Sequence, residues 1–355
     1  MTVPQGLYVH VPFCAIKCAY CDFFSVTGSP DDVRARYVDT LAAEIGVRGT
    51  GEPADTIFFG GGTPSLLEPA QVGRILDALR AAFALDPAAE ITMEANPETV
   101  DETRLRGFRA AGVNRISFGV QSLDPALLKA LGRIHSADRA RAAVREARAA
   151  GFDDLSADLM FGLPGQDVAG WKRDLTEVLS WPLTHLSCYE LTIEGDTAFG
   201  QHPPALPDED AVLAQWDTVL DETARAGFNQ YEVSNYARPG KECRHNLKYW
   251  RDEDWFGFGA SAWEAQGGVR RGNPRSLAKY FAGREAGFPP AETDSLPESG
   301  RMAETLVLGL RLRAGVDEGE YAARYGADAL ARYLPALAPH EAAGRVERAE
   351  GRLRL

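Results

Sequence analysis

Over roughly the first 200 residues, short apolar runs alternate with segments in which apolar residues recur every three to four positions. The short runs read as strands at Leu7–Val11, Thr56–Phe59, Ile91–Glu94, Arg115–Gly119, Ser156–Phe161 and His185–Leu191. Between them, Val33, Tyr37, Val38, Leu41 and Ile45 mark one helical stripe, and Val72, Ile75, Leu76, Leu79 and Phe83 mark another. Stripes of this period are core-facing helix surfaces. Strand and helix in alternation predict a parallel α/β fold. Six such units suit an incomplete (β/α)6, TIM-like barrel, open on one side, better than a closed eightfold one. Gln201–Pro207 reads as a loop, because its prolines cannot continue a helix or a central strand. Val212, Leu213, Trp216, Val219 and Leu220 then predict another helix. Gly287–Gly300 contains Pro289, Pro290 and Pro297 and reads as a linker. Beyond it lies a small, mostly helical C-terminal domain, rich in Ala, Arg and Leu. The chain thus divides into a core over 1–237, a segment over 238–290 that completes it, and a C-terminal domain over 291–355.

The residues with chemical potential sit at or just past the ends of these strands. The first strand runs into Cys14-Ala15-Ile16-Lys17-Cys18-Ala19-Tyr20-Cys21, three thiols at C-x3-C-x2-C spacing on one tight loop. After the second comes Gly60-Gly61-Gly62-Thr63-Pro64; Glu94 ends the third, Gln121 comes after the fourth and Asp158 lies within the fifth. Polar groups gathered at strand C-terminal ends are where barrel and open α/β enzymes build their sites. A cubane iron–sulfur cluster usually takes four thiolates, so three leave one iron with an open position. Structural zinc normally needs a second cysteine pair downstream, and only Cys188 and Cys243 remain, far away. His10 can still complete a Cys3His zinc site, so zinc stays open beside the cluster. A disulfide framework fits poorly, since the five cysteines are odd in number.

Charge and hydropathy narrow the rest. A net charge of −13 argues against a nucleic-acid surface and against docking on anionic lipid. No apolar run approaches the ~20 residues of a membrane span. The start, Met1 to Gly6, lacks the basic and apolar regions of a signal peptide. A reducing cytoplasm is expected, where thiolates stay available for a cluster.

The triplet, with an aromatic before its last cysteine, resembles the radical S-adenosylmethionine (SAM) superfamily. That resemblance implies a [4Fe-4S] cluster on Cys14, Cys18 and Cys21, SAM chelated at the free iron, and an electron donor whose electron cleaves SAM to a deoxyadenosyl radical. Leu7-Tyr8-Val9-His10-Val11-Pro12-Phe13-Cys14, Phe59-Gly60-Gly61-Gly62-Thr63-Pro64, Glu94-Ala95-Asn96-Pro97, Ser117-Phe118-Gly119-Val120-Gln121-Ser122 and Asp158-Leu159-Met160-Phe161-Gly162-Leu163-Pro164 occur in this order. They resemble oxygen-independent coproporphyrinogen III dehydrogenase and its relatives. Two departures separate the chain from that dehydrogenase: Phe23 stands where it has a further cysteine, and Tyr8 lies almost at the terminus. His245-Asn246-Leu247-Lys248-Tyr249-Trp250 is similar to the HNxxYW motif of the HemW-like heme chaperones.

The resemblance implies SAM contacts at Tyr8, Tyr20, Gly61, Gly62, Thr63, Glu94, Gln121, Arg133, Asp158 and Thr192. The resemblance implies that Tyr20 packs beside the adenine. The glycines let backbone N–H and C=O groups approach the methionyl end. Glu94 and Asp158 suit ribose hydroxyls or a cationic group, and Arg133 suits a carboxylate. His245 is either an axial heme ligand or a hydrogen-bonded structural histidine beside a packed aromatic pair, and Cys243 is either a second contact or an inert buried thiol. The resemblance further implies a heme or porphyrin cargo and a heme-acceptor protein. Three functions stay open: heme chaperone, coproporphyrinogen III dehydrogenase, or a radical SAM enzyme on another substrate.

Overall fold

The computed structural model describes residues 3–355; Met1 and Thr2, at the head of the stretch read for a signal peptide, lie outside them. Six parallel strands form the centre: β1 (Gln5–Val11), β2 (Pro53–Gly61), β3 (Ala84–Ala95), β4 (Arg115–Gln121), β5 (Asp154–Phe161) and β6 (His185–Glu190). They stand side by side in chain order. Each is longer than, or equal to within a residue of, the apolar run that predicts it. A seventh strand, Trp255–Phe258, joins parallel to β1. Its four residues carry no alternation and include a glycine, so the pattern gives no strand signal.

Two antiparallel margins flank this centre. Asn229–Glu232 and Asn235–Ala237 close onto β6 on one side. Trp263–Gln266, Val269–Gly272 and Glu292–Ser295 extend the other. The last of these occupies the stretch read as a linker; it is an exposed edge strand with no apolar residue to announce it. The order of the twelve strands runs from one edge to the other without closure, as an open barrel requires.

Helices cover the outside. Asp31–Arg48 buries Tyr37, Val38, Leu41 and Ile45. Pro69–Ala82 starts on a reciprocal capping box between Glu68 and Gln71 and buries Val72, Ile75, Leu76 and Leu79. Glu209–Arg225 buries Val219, but Leu213 points to solvent, 54% exposed, so that stripe is narrower than the apolar spacing predicts. Among the described residues two carboxylates, Glu44 and Glu232, are wholly inside. Glu44 accepts hydrogen bonds from the Gly259 N–H (2.8 Å), Asn273 Nδ2 (2.7 Å) and the Tyr280 hydroxyl (2.6 Å), and pairs with Arg48. It ties the first helix to the late part of the chain, at Gly259, Asn273 and Tyr280.

The C-terminal part has its own core of Met302, Leu306, Val316, Tyr321, Leu330, Val346 and Leu353. Beside its helices it carries a three-stranded antiparallel sheet of Val316–Asp317, Arg352–Arg354 and Glu347–Ala349. Among the described residues, no helix is long and apolar enough to cross a membrane.

Candidate functional site: a thiol-rimmed cavity at the strand ends

The cysteine loop leaves the C-terminal end of β1 and is pinned from three sides. Ala19 donates its N–H to the Leu131 carbonyl (3.1 Å), Phe199 donates to the Ala19 carbonyl (2.9 Å), and Val26 donates to the Pro12 carbonyl (2.7 Å). Tyr20 packs onto the small apolar cluster of Leu131, Met160, Leu163, Leu191 and Phe199. The loop is thereby held over the mouth of a cavity of about 420 Å³.

Cys14, Cys18 and Cys21 line that cavity, all partly exposed and all free thiols. Two of them sit at opposite ends of a hydrogen-bonded chain. Thr63 Oγ1 donates to Cys14 Sγ (3.6 Å), Asn96 Nδ2 donates to Thr63 Oγ1 (3.1 Å), Arg133 donates to Asn96 Oδ1 (2.6 Å), and Arg133 donates again to Cys18 Sγ (3.6 Å). Arg133 also donates to the Gly119 carbonyl (2.6 Å). Asn96 is therefore a site residue that residue-by-residue reading missed; its signal lay inside the quoted Glu94-Ala95-Asn96-Pro97 block.

The floor of the cavity is acidic. Glu94 on β3 and Asp158 on β5 face inward, with Ser117 donating to Asp158 (3.1 Å). Burial, then the Asp158 charge, pushes Glu94 up to about 8, against an opposing hydrogen bond from the Gly61 backbone. Burial also raises Asp158, while hydrogen bonds from Ser187 and Ser117 and the charges of Arg115 and Arg133 pull it back. Gln121 completes the wall from a left-handed backbone (φ 67°), just past a register shift in β4. Such strain in a non-glycine residue costs about 1–3 kcal/mol and clusters at ligand sites.

Gly61, Gly62 and Thr63 line the cavity too. Gly61 has φ 106°, and a Cβ there would lie 2.5 Å from the His10 ring; at Gly62 it would lie 2.7 Å from the Phe13 carbonyl. Both positions therefore need glycine. The expectation that their N–H groups meet a ligand is corrected in part: Gly62 donates to the Val11 carbonyl (2.8 Å) and Thr63 to the Phe13 carbonyl (2.7 Å). Those donors are spent on strapping the glycine turn to the cysteine strand.

Three expected site residues lie elsewhere. Thr192 is exposed past the end of β6 and does not line the cavity. Tyr8 lines a neighbouring hollow instead. His245 is completely buried, with Nδ1 2.8 Å from Thr56 Oγ1, Nε2 2.8 Å from the Tyr249 hydroxyl, and its ring stacked on Phe58. Burial, then the Lys248 charge, lowers its pKa to about 3. The axial-ligand reading does not fit this packing, because both nitrogens are engaged and no face of the ring is open. Cys243 is likewise buried, its thiol near Glu90 (3.5 Å), and burial pushes its pKa up to about 12. That makes it a poor ligand.

The donor set tests the two metal readings. His10 has both ring nitrogens engaged, by the Tyr8 hydroxyl (3.0 Å) and the Phe24 carbonyl (3.0 Å), so it is not placed as a fourth zinc ligand. Among the described residues no three His, Cys, Asp or Glu side chains converge closely enough to hold a single ion. Thiols spread around a mouth suit a cubane, whose irons take one thiolate each. Arg133 Nε is buried without a hydrogen-bond partner, a donor left over for a ligand's carboxylate. The residues thus fit a three-thiolate cluster with a chelating ligand beside it that carries a carboxylate toward Arg133 and a cationic or hydroxyl-bearing part toward Glu94 and Asp158. When bound, such a cluster supplies one electron to that ligand.

Residues 8–177 match the radical SAM superfamily, and residues 296–355 match the HemN C-terminal domain. The heme chaperone HemW of Escherichia coli is 44% identical over 262 residues, covering 73% of this chain and 69% of the relative. The heme chaperone HemW of Bacillus subtilis is 36% identical over 333 residues, covering 91% and 87%. The solved structure of coproporphyrinogen III oxidase (HemN) from Escherichia coli superposes with a TM-score of 0.88 at 25% identity, over 100% of this chain and 87% of that one. At that level of identity to the chaperones, over most of both chains, the protein belongs to the HemW family of the radical SAM superfamily.

Proposed function

We propose that this chain binds heme and delivers it to an acceptor protein, on a core that holds a [4Fe-4S] cluster and SAM. One observation carries the reading: a thiol-rimmed, acid-floored cavity in a chain whose relatives bear the name heme chaperone. In this reading Cys14, Cys18 and Cys21 hold the cluster and Arg133 takes the SAM carboxylate. Glu94 and Asp158 meet ribose hydroxyls or the ligand's positive charge. Tyr20 lies against the adenine, Gln121 and the Gly61–Thr63 turn complete the cradle, and Tyr8 and Thr192 act from its margins. An electron donor serves the cluster in a reducing cytoplasm. The division into 1–237, 238–290 and 291–355 belongs to the same reading. The separate core of the last part and the family match over 296–355 support a distinct C-terminal unit, beginning after rather than before the edge strand Glu292–Ser295.

The second reading, coproporphyrinogen III dehydrogenase, is favoured by the TM-score of 0.88 with HemN. Phe23, standing where that enzyme has a cysteine, speaks against it. Anaerobic reconstitution decides between them. The protein is loaded with iron and sulfide, titrated with heme with and without SAM, and assayed with reductant, SAM and coproporphyrinogen III. Stoichiometric heme uptake without protoporphyrinogen formation is the expected result. A cluster-loaded protein that takes up no heme refutes the chaperone reading, and protoporphyrinogen at enzyme-like turnover establishes the other.

A further inference from the structure

The HNxxYW helix, Arg244–Trp250, presents Tyr249 to a second hollow, of about 320 Å³. It shares Phe23 with the cluster cavity as a common wall. Its other walls are the rings of Tyr8, Phe24, Tyr249, Trp255 and Trp263. Phe23 and Trp263 are 63% and 37% exposed. Single exposed aromatics are ordinary, but several around one concavity mark a binding site. The rings are held in place: Tyr249 and Trp255 meet edge to face at 4.8 Å, and Trp255 Nε1 donates to the Trp263 carbonyl (3.2 Å).

One cation stands at the rim. Arg275 donates to the Asp22 carbonyl (3.2 Å) and makes only a loose pair with the Asp22 carboxylate (4.0 Å), its side chain 56% exposed. In a chain of net charge −13, an arginine at the edge of an aromatic hollow selects a flat, apolar ligand that carries an acid. The ring-borne polar atoms of its inner wall are already committed, while Ser261 and the Asp22 carboxylate stand at its edge. His10 uses both nitrogens, the Tyr8 hydroxyl bonds to His10, and the Tyr249 hydroxyl bonds to His245.

We propose that this hollow is the tetrapyrrole site, with the macrocycle held by its faces against the aromatic rings and by a propionate on Arg275, without a protein bond to its iron. The inference rests on the heme reading above. It gives the motif a different role: His245 is a positioning residue that fixes Tyr249 as a wall, and the cargo's iron stays free for an acceptor to claim.

The test titrates the reconstituted full chain with heme and, separately, with metal-free protoporphyrin IX, following tryptophan quenching and the Soret band. Protoporphyrin IX is expected to compete with heme at an affinity within about threefold, since recognition is of the face and the acid. Trp263→Ala and Arg275→Ala, with folding checked by urea denaturation, are each expected to weaken binding about tenfold or more, the loss typical of removing an aromatic or arginine anchor. His245→Gln is expected to weaken binding while leaving the Soret position of bound heme unchanged. The inference is overturned alone if wild type takes up heme but protoporphyrin IX fails to compete. It is equally overturned if both alanine variants bind heme as wild type does, or if His245→Gln shifts the Soret band. Failure of wild type to take up heme at all overturns the chaperone reading and this inference with it.

Discussion

Replacing Glu94 by Gln probes the acid floor directly. In the protein without SAM, burial and the neighbouring Asp158 raise the Glu94 carboxyl from its usual 4.5 to about 8. Between those two values the unfolded chain releases the proton and the folded chain keeps it. Stability attributable to this group therefore falls as pH rises through the window, and the loss is complete above about 8. At ~1.4 kcal/mol per tenfold change in proton affinity, the limiting cost is roughly 5 kcal/mol. Relaxation and water entry reduce what is measured to about 2–5 kcal/mol. Gln has nearly the same shape and no proton to lose. Anaerobic urea denaturation of SAM-free protein at pH 5 to 9 is expected to show Glu94→Gln gaining on wild type with rising pH. The ligand adds a second signature. A positively charged ligand next to Glu94 favours its ionised form, so SAM binding to wild type near neutral pH expels a proton that Glu94→Gln does not have. Calorimetry in two buffers of different ionisation enthalpy reads that proton. Parallel stability profiles of the two proteins across the whole range, with equal proton release, refute the reasoning.

Three further outcomes are expected from the same structure. Cys18→Ala is expected to abolish iron retention and visible absorption while changing the unfolding free energy of cluster-free protein by less than ~1 kcal/mol, because the thiol is half-exposed and in no disulfide; iron analysis and urea titration check both. Arg133→Lys keeps the charge but loses the fork that joins Asn96, Gly119 and Cys18. SAM affinity by calorimetry is expected to fall about 10- to 100-fold. Glu44→Ala leaves the buried Tyr280 hydroxyl and Gly259 N–H without their partner, while Arg48 keeps Glu264, and is expected to cost about 2–4 kcal/mol in urea denaturation.

Much of the site is written locally. The cysteine triplet, the glycine turn and the carboxylates at strand ends are short-range features. The apolar runs that bury β1 to β6 also fix which end of the sheet those features reach, because each run leads directly into one of them. That is why eleven of the fourteen residues expected at the site line a single cavity. Glu44 and the strand Glu292–Ser295 could not be read in the same way. A buried glutamate inside a helical stripe and a polar edge strand both contradict the hydrophobic pattern, and only their distant partners account for them.

His245 shows where the reading of a motif ends. The spelling HNxxYW places a histidine one helical turn before a tyrosine, and that spacing serves a ligand and a strut equally well. The choice is made by Thr56, 189 positions away in sequence, on the strand against which the His245 helix packs and within reach of the other ring nitrogen. Sequence alone determined the thiol triplet, the strand end it follows and the family, because these are set by neighbours along the chain. Tertiary structure alone decided which polar groups are already spent and which face a cavity, because hydrogen-bond partners and desolvation come from strands that meet only once the barrel has formed.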